Sequence, residues 1–397
     1  MSRLRIAMVG AGTGRGQSWM QSLKKLSEPD DLYDFCALCE VNPEKREQSA
    51  ERWGVAGYGN LVEMLDEAGP DAILNGTPPD CNVMAVPLAA RRGVHVMTEI
   101  PIAPTLAMAD SMIETTRANG VKYEVTEQVY LWADEQLKRK IIDEGLIGEP
   151  QHARLYYTNK ADYHGINAAR MLIRSEATRV LGVTGEVRVP TFTHFTGNEL
   201  SESRWDHAVI EFESGVVCLF ESPPRGRMSR RWDIEGSEGQ LFGEELYIGS
   251  QSEFESFPFI SEYTEVEGEK VLEHVRVDTD PPVVFDNPFK EYRADSADEV
   301  ARMQLLVGFH KAITEDAEPE YGAVNARKDI EILLAMRESA RLGSRWVELP
   351  LTEETELERR LEEEFRAMYG HDASETEALV DVAFPQGGVR YTIAGWD

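Results

Sequence analysis

The chain is short of positive charge, of cysteine and of long apolar runs, and each shortage excludes something. Lysine and arginine number 41 against 71 aspartates and glutamates, a formal net charge of −30. A nucleic-acid backbone is held by clustered basic side chains, so no nucleic-acid partner is expected. Net charge of this kind bears on solubility and association rather than on fold. The four cysteines, Cys36, Cys39, Cys81 and Cys218, are too few for a disulfide framework and suit a reducing compartment. Cys36 and Cys39 have C-x-x-C spacing but fall inside an expected strand, where residues three apart face opposite sides. No metal or redox pair is expected there. No apolar run approaches the roughly 20 residues that cross a bilayer, so no membrane partner is expected. The first strand is expected from Leu4, which leaves no leader peptide and places the protein in the cytoplasm. No internal repeat or low-complexity run occurs.

What is present begins at once. Leu4-Arg5-Ile6-Ala7-Met8-Val9 runs into Gly10-Ala11-Gly12-Thr13-Gly14-Arg15-Gly16, and Trp19, Met20, Leu23 and Leu26 follow at helical spacing. Strand, glycine turn and helix in that order give a glycine fingerprint its weight. Such a turn needs backbone angles that other residues resist, and it lets the main chain approach a pyrophosphate closely. The helix opening there points N–H groups and the positive end of its dipole at the anion. Gly10, Gly12, Thr13, Gly14, Arg15 and Gly16 are therefore expected to bind a dinucleotide, the alternative being a glycine-rich loop without function. Counted from Gly10, the strict spacing wants its third glycine at Arg15. Either the turn is one residue longer, or Arg15 replaces the packing glycine and brings a charge near the phosphates.

At 397 residues two domains are expected. Tyr33 to Cys39 reads as a second strand ending at Glu40, an acid placed to hold the adenosine ribose hydroxyls and repel a 2′-phosphate. NAD rather than NADP is the expected cofactor, an ordinary exposed glutamate being the alternative. A helix follows from Pro43, with Asn42 as its cap. Asp71 to Asn75 is the next expected strand, running into the turn Thr77-Pro78-Pro79. A helix from Asn82 to Arg92, a strand over Val94 to Met97 ending at Thr98-Glu99-Ile100-Pro101, a helix from Leu106 to Asn119 and a strand over Lys122 to Val125 complete the alternation. This α/β half is a doubly wound parallel sheet, whose ligands bind beyond the carboxyl ends of the strands. That gathers the glycine turn, Glu40, Thr77, Pro78, Glu99 and Pro101 along one crevice.

After Gly145 to Pro150 the pattern turns antiparallel. A strand at Gln151 to Asn159 and hairpins at 207–221 and 232–242 suggest an α+β domain on an open, mainly antiparallel sheet. Residues 251–295 read as irregular and acidic. Helices are expected at Ala297 to Thr314, Ala323 to Leu342 and Glu353 to Tyr369, the last with Leu357, Leu361, Phe365 and Met368 on one stripe. That last helix is read either as a surface helix or as an oligomer contact. The expected domains are 1–125 (dinucleotide-binding Rossmann), 126–350 (substrate binding and oligomerisation) and 351–397 (C-terminal helix and tail).

Over about residues 4–350 the chain resembles the Gfo/Idh/MocA family of nicotinamide-dependent oxidoreductases, in its glucose–fructose oxidoreductase and inositol dehydrogenase branches. The resemblance rests on the glycine turn, Thr77-Pro78-Pro79, Thr98-Glu99-Ile100-Pro101-Ile102-Ala103, Asp143-Glu144-Gly145-Leu146-Ile147-Gly148, Glu235-Gly236-Ser237-Glu238-Gly239 and Arg337-Glu338-Ser339-Ala340, in that order and spacing. It implies a cofactor across the first domain, a sugar, cyclitol or other polyol against the sheet of the second, and a homodimer or homotetramer. Hydride transfer needs a base for the hydroxyl proton and a donor that polarises the carbonyl oxygen. The family usually supplies the lysine of Glu-Lys-Pro and a histidine with an aspartate four residues before it. Here Ile100 stands at the lysine position and can neither take nor give a proton. His164, in Lys160-Ala161-Asp162-Tyr163-His164, falls at the catalytic histidine, and the alternative is a histidine that caps or packs against its helix. Lys160 stands at the aspartate position. Either the lost ammonium has moved there or it is a solvated loop lysine. Tyr163 is a second possible acid, while Asn167, Arg170 and Gln128 are expected around the substrate, with Glu127 beside them. His95 and His152 read as structural. His194, His207, His274 and His310 show no ligand spacing, so no metal is expected.

Three functions follow from this pattern. The first is an NAD-dependent dehydrogenase of a sugar or polyol hydroxyl. The second is elimination, epimerisation or glycoside cleavage through a transient ketone without net redox, and the third a non-catalytic nucleotide-binding protein.

Overall fold

The computed structural model describes residues 3–27, 32–157, 162–193, 199–224, 230–250 and 252–383. They form two compact units that interleave along the chain. One is built from residues up to 127, 302–330 and from 358 onward; the other from 128–301 and 331–357.

The first unit alternates strand and helix: β1 (Leu4–Val9), α1 (Gly14–Ser27), β2 (Tyr33–Cys39), α2 (Pro43–Trp53), β3 (Ala56–Tyr58), α3 (Leu61–Ala68), β4 (Ala72–Asn75), α4 (Pro79–Ala90), β5 (His95–Thr98), α5 (Leu106–Ala118) and β6 (Tyr123–Val125). All adjacent strands are parallel, in the order β3-β2-β1-β4-β5-β6. Ile6 to Val9 and Ile73 to Leu74 are fully buried, as strands covered by helices on both faces require. The order reverses between β1 and β4, which sets the crevice at the glycine turn. Strand β3, at three residues, is too short to show a period, whereas α3 carries Leu61, Met64 and Leu65 at helical spacing behind the Asn60 cap and was passed over. Helix α4 begins at Pro79 rather than Asn82, because proline at the first helical position loses no bond the helix could have made.

The second unit contains α6 (Ala133–Asp143), β7 (Pro150–Tyr157), α7 (Asp162–Ile173), β8 (Ala177–Thr193), β9 (Glu199–Phe212), β10 (Val217–Ser222), β11 (Arg230–Gly236), β12 (Gly239–Phe242), β13 (Glu245–Ser250), β14 (Glu253–Pro258), β15 (Ile260–Val266), β16 (Glu269–Val277) and β17 (Val283–Asp286). Helices α8 (Ala297–Thr314) and α9 (Gly322–Arg341) are each shared with the first unit. β18 (Val347–Glu348) closes a nine-stranded sheet ordered β14-β13-β12-β11-β7-β10-β9-β8-β18. Only β7 and β10 in it run parallel. Ala153, Leu155, Ile210, Cys218, Phe220, Trp232 and Ile234 are among its buried side chains, and α7 lies on β7 and β10.

The expectation of an irregular, acidic 251–295 is corrected. The stretch holds the edge strand β14 and an antiparallel three-stranded sheet, β15-β16-β17, against α6. Acids alternate on its exposed positions, such as Glu265, while Val271, Val275, Val277 and Val283 turn inward. The C-terminal helices are α10 (Glu356–Tyr369) and α11 (Thr376–Ala383). The stripe of α10 is covered by its own chain: Leu361, Phe365 and Tyr369 are buried in the first unit, while Met368 is only half-buried.

Candidate functional site

In the first unit the site grows from the turn after β1. Gly10 has φ +80°, a left-handed conformation that glycine takes without strain. A Cβ on Gly16 would stand 2.6 Å from the Gly10 carbonyl oxygen. Gly16 is therefore the glycine that lets helix and turn pack, and the turn is one residue longer than the strict spacing. Thr13 caps the helix: its Oγ1 accepts from Gly16 N at 2.9 Å and its carbonyl from Gln17 N at 3.0 Å. At Gly14 no neighbouring atom of the described residues lies within 4 Å of where a Cβ would be. Of the first N–H groups of α1, which no intrahelical acceptor can serve, those of Gly16 and Gln17 are met by Thr13, and the open side at Gly14 leaves room for an anion.

Arg15 takes a different direction. Its Nε donates to Glu99 Oε1 at 2.7 Å, and its guanidinium lies 5.2 Å over the Trp19 ring. Trp19 Nε1 donates to the same oxygen. The start of α1 is thereby tied to the residue after β5, and Glu99 N in turn donates to Asn75 O at 2.9 Å. Next to it, Asn75 Nδ2 donates to Asn82 Oδ1 at 2.7 Å and Thr77 Oγ1 to Asn75 Oδ1 at 2.8 Å. Asn82 Nδ2 reaches Ile102 O at 3.0 Å, past the cis Ile100–Pro101 peptide. This buried amide relay couples the Thr77-Pro78 turn to the segment after Pro101. Asparagines in an otherwise apolar strand end and helix were the available signal, and sequence reasoning passed over them.

Glu40, at the end of β2, is almost fully buried. Its Oε2 accepts from Gly12 N at 2.7 Å and its Oε1 from Asn42 N at 2.9 Å. A carboxylate has about four acceptor positions, so two bonds leave capacity for hydroxyl donors. Together with Gly10, Thr13, Thr77 and Pro78 it lines a cleft of about 220 Å³, where Asn42, the cap of α2, and Lys45 in its first turn join. Lys45 was missed; its place one turn beyond the acid, at the start of a helix, was the signal. Cys39 and Cys81 also line this cleft, and burial pushes the Cys39 thiol up to about 12, leaving it an inert thiol.

The second unit presents the residues expected around a substrate. Tyr163, Asn167 and Arg170 occupy one buried face of α7, and His164 beside them is half-buried. Arg170 Nη1 lies 3.5 Å from Glu176 Oε2. Gln128 is buried, and its Oε1 has no hydrogen-bond partner among the described residues. Lys160 and His194 lie outside the described residues. His95 Nδ1 accepts from Lys122 N at 2.9 Å, linking the starts of β5 and β6. Among the described residues no group of three or more His, Cys, Asp or Glu could hold a metal, and no helix is long and apolar enough to cross a membrane.

A doubly wound sheet, an open helix start after a glycine turn and an anchored acid at the next strand end define a dinucleotide-binding Rossmann unit. Residues 4–127 match the model of the Gfo/Idh/MocA proteins, described as an oxidoreductase family with an NAD-binding Rossmann fold. Its cofactor is NAD, and the bare space at Gly14 and the free acceptor capacity of Glu40 fit such a molecule. The chain is 24% identical over 296 residues to a glycosyl hydrolase family 109 protein of Akkermansia muciniphila, covering 61% of each. It is 23% identical over 228 residues to a D-apiose dehydrogenase of Paraburkholderia graminis, covering 53% of this chain and 61% of that one. The matches thus span about three-fifths of these curated relatives' length. A levoglucosan dehydrogenase in complex with NADH shares the fold, with a TM-score of 0.70, 18% identity and coverage of 88% of this chain and 100% of that one.

Proposed function

We propose that the protein is an NAD(H)-dependent oxidoreductase acting on a CH–OH group of a sugar, cyclitol or related polyol. The observation that carries this is Glu40, held at the end of β2 by the Gly12 and Asn42 amides with acceptor capacity facing the cleft. Gly10, Gly12, Thr13, Gly14 and Gly16 would hold the pyrophosphate at the start of α1, Glu40 the ribose, and Thr77, Pro78, Glu99 and Pro101 the remaining wall. Arg15 contributes by fastening Glu99. Bound NAD would supply the hydride acceptor.

The proton is the business of the chain's own residues. His164 is the base for the substrate hydroxyl, an imidazole being suited to reversible transfer near neutrality. Ile100 can do no acid–base chemistry, so the polarising donor is Tyr163 or Lys160. The buried Oε1 of Gln128, with no hydrogen-bond partner among the described residues, accepts from a substrate hydroxyl, and Asn167 and Arg170 complete the polar lining. The sugar dehydrogenases among the relatives support this substrate class.

The test is the purified protein with NAD⁺ and a panel of polyols, followed by NADH absorbance and product analysis. NADH growth with oxidised product is expected. Product formed without NADH would favour the route through a transient ketone, which the Ile100 position and the glycosyl hydrolase relative make the second reading. Cofactor binding with neither outcome would leave a non-catalytic nucleotide-binding protein.

A further inference from the structure

Helix α10 lies outside the stretch 4–127, yet three of its side chains bond to one particular edge of the unit built on it. Glu358 Oε1 accepts from Leu106 N at 2.9 Å, and Glu362 Oε1 from Thr105 Oγ1 at 3.2 Å, both at the first turn of α5. The Tyr369 hydroxyl donates to Asp80 Oδ2 in the first turn of α4. The ring behind that hydroxyl is fixed edge-on against Phe365, with centroids 4.8 Å apart. A brace serving stability alone could fasten anywhere along α4 and α5. These bonds meet the two helix starts, which lie at the carboxyl edge of the sheet, where ligands of such folds bind.

Asp80 sits in the wall of the cleft in all but exposure. Thr77, Pro78 and Cys81, the residues around it, line the cleft, and Cys81 N donates to Pro78 O at 2.9 Å. Asp80 itself is 1% exposed and faces away from solvent toward α10. Burial pushes its carboxyl up to about 6, against the Tyr369 hydroxyl and the amides of Asp80 and Cys81, which favour the charged form. A buried carboxylate stripped of its side-chain donor is costly, so the turn would shift to find another.

We propose that Tyr369 is a positioning residue for cofactor binding: through Asp80 its hydroxyl holds the Thr77-Pro78 turn in the shape that walls the cleft. The proposal rests on the reading that this cleft takes a nicotinamide dinucleotide. A residue near the end of the chain thereby sets the affinity of a site built mainly from its first hundred residues.

The experiment measures the Kd for NADH, by calorimetry on the full-length protein, alongside thermal unfolding. The variants are Tyr369→Phe, which keeps the buried ring, Asp80→Ala, the pair combined, and Leu361→Val as a control that loosens the same helix without touching the bond. Tyr369→Phe and Asp80→Ala are each expected to weaken NADH at least threefold, and the double variant no more than the worse single, since both break one link. Leu361→Val is expected to lower the melting temperature and leave the Kd unchanged. Wild-type affinity retained within threefold in both single variants overturns the positioning role while leaving the cofactor reading intact. So does an equal loss in Leu361→Val, which would mark a general loosening. Absence of NADH binding by the wild type overturns the cofactor reading itself and this role with it.

Discussion

Glu124 is a fully buried acid on β6 whose carboxylate accepts from Gly322 N at 2.7 Å and Val125 N at 2.9 Å. Those bonds fasten the last strand of the Rossmann sheet to the start of α9. Desolvation nonetheless raises its pKa from the ordinary 4.5 to about 7. A raised carboxyl pKa means the folded state holds its proton longer than the unfolded chain does. The associated stability is therefore complete below about pH 4.5, is lost steadily as pH rises toward 7, and stays lost above it. At about 1.4 kcal/mol per unit, the loss between pH 5 and pH 8 is about 2–3 kcal/mol. Glu124→Gln keeps an acceptor for the two amides and removes the titration. The variant is expected to unfold at a higher temperature than the wild type at pH 8, by about 5 °C or more at 2–4 °C per kcal/mol, and to lose that advantage by pH 5. Calorimetric scans of both proteins at pH 5, 6, 7 and 8 provide the check. A difference between them that does not change with pH would refute the reasoning, because it would mean that Glu124 is not protonated differently in the two states.

Glu40→Ala removes two bonds from backbone amides to a carboxylate, each worth about 1.5–3 kcal/mol, along with the ribose acceptor. NAD⁺ affinity is expected to fall tenfold or more and the preference over NADP⁺ to narrow, both read by titration calorimetry. Gly16→Ala places a methyl group 2.6 Å from the Gly10 carbonyl oxygen, so NADH binding is expected to be lost together with several degrees of melting temperature. His164→Ala is expected to abolish turnover while leaving NADH affinity within about twofold, since the residue belongs to the second unit and not to the one that carries the glycine turn. Should Lys160→Met leave turnover intact, Tyr163 is the polarising donor.

The parts of this fold that were legible in the sequence are those whose determinants sit side by side in the chain. Gly10 to Gly16 follow a buried strand directly, and Glu40 stands at the end of the next, so turn, helix start and acid could all be placed by local pattern. The Arg15 ambiguity could not be resolved that way, because only the closeness of Gly16 to the Gly10 carbonyl distinguishes a longer turn from a replaced glycine. Short elements such as Ala56 to Tyr58 escaped because a three-residue strand shows no periodicity. The β14–β17 region escaped because acids on its exposed face masked the inward valines. Contacts between distant residues left no trace at all. The Asn75–Asn82 relay needs the strand order, and the bond from Tyr369 to Asp80 joins residues 289 positions apart.

The central claim is that a nicotinamide dinucleotide lies along the glycine turn with its ribose on Glu40. Titration calorimetry of the purified protein with NAD⁺ and with NADH tests it most directly. The account predicts saturable binding of at least one of them at one site per chain, weakened at least tenfold in Glu40→Ala. No heat with either form, or a Glu40→Ala variant that binds as well as the wild type, would contradict it.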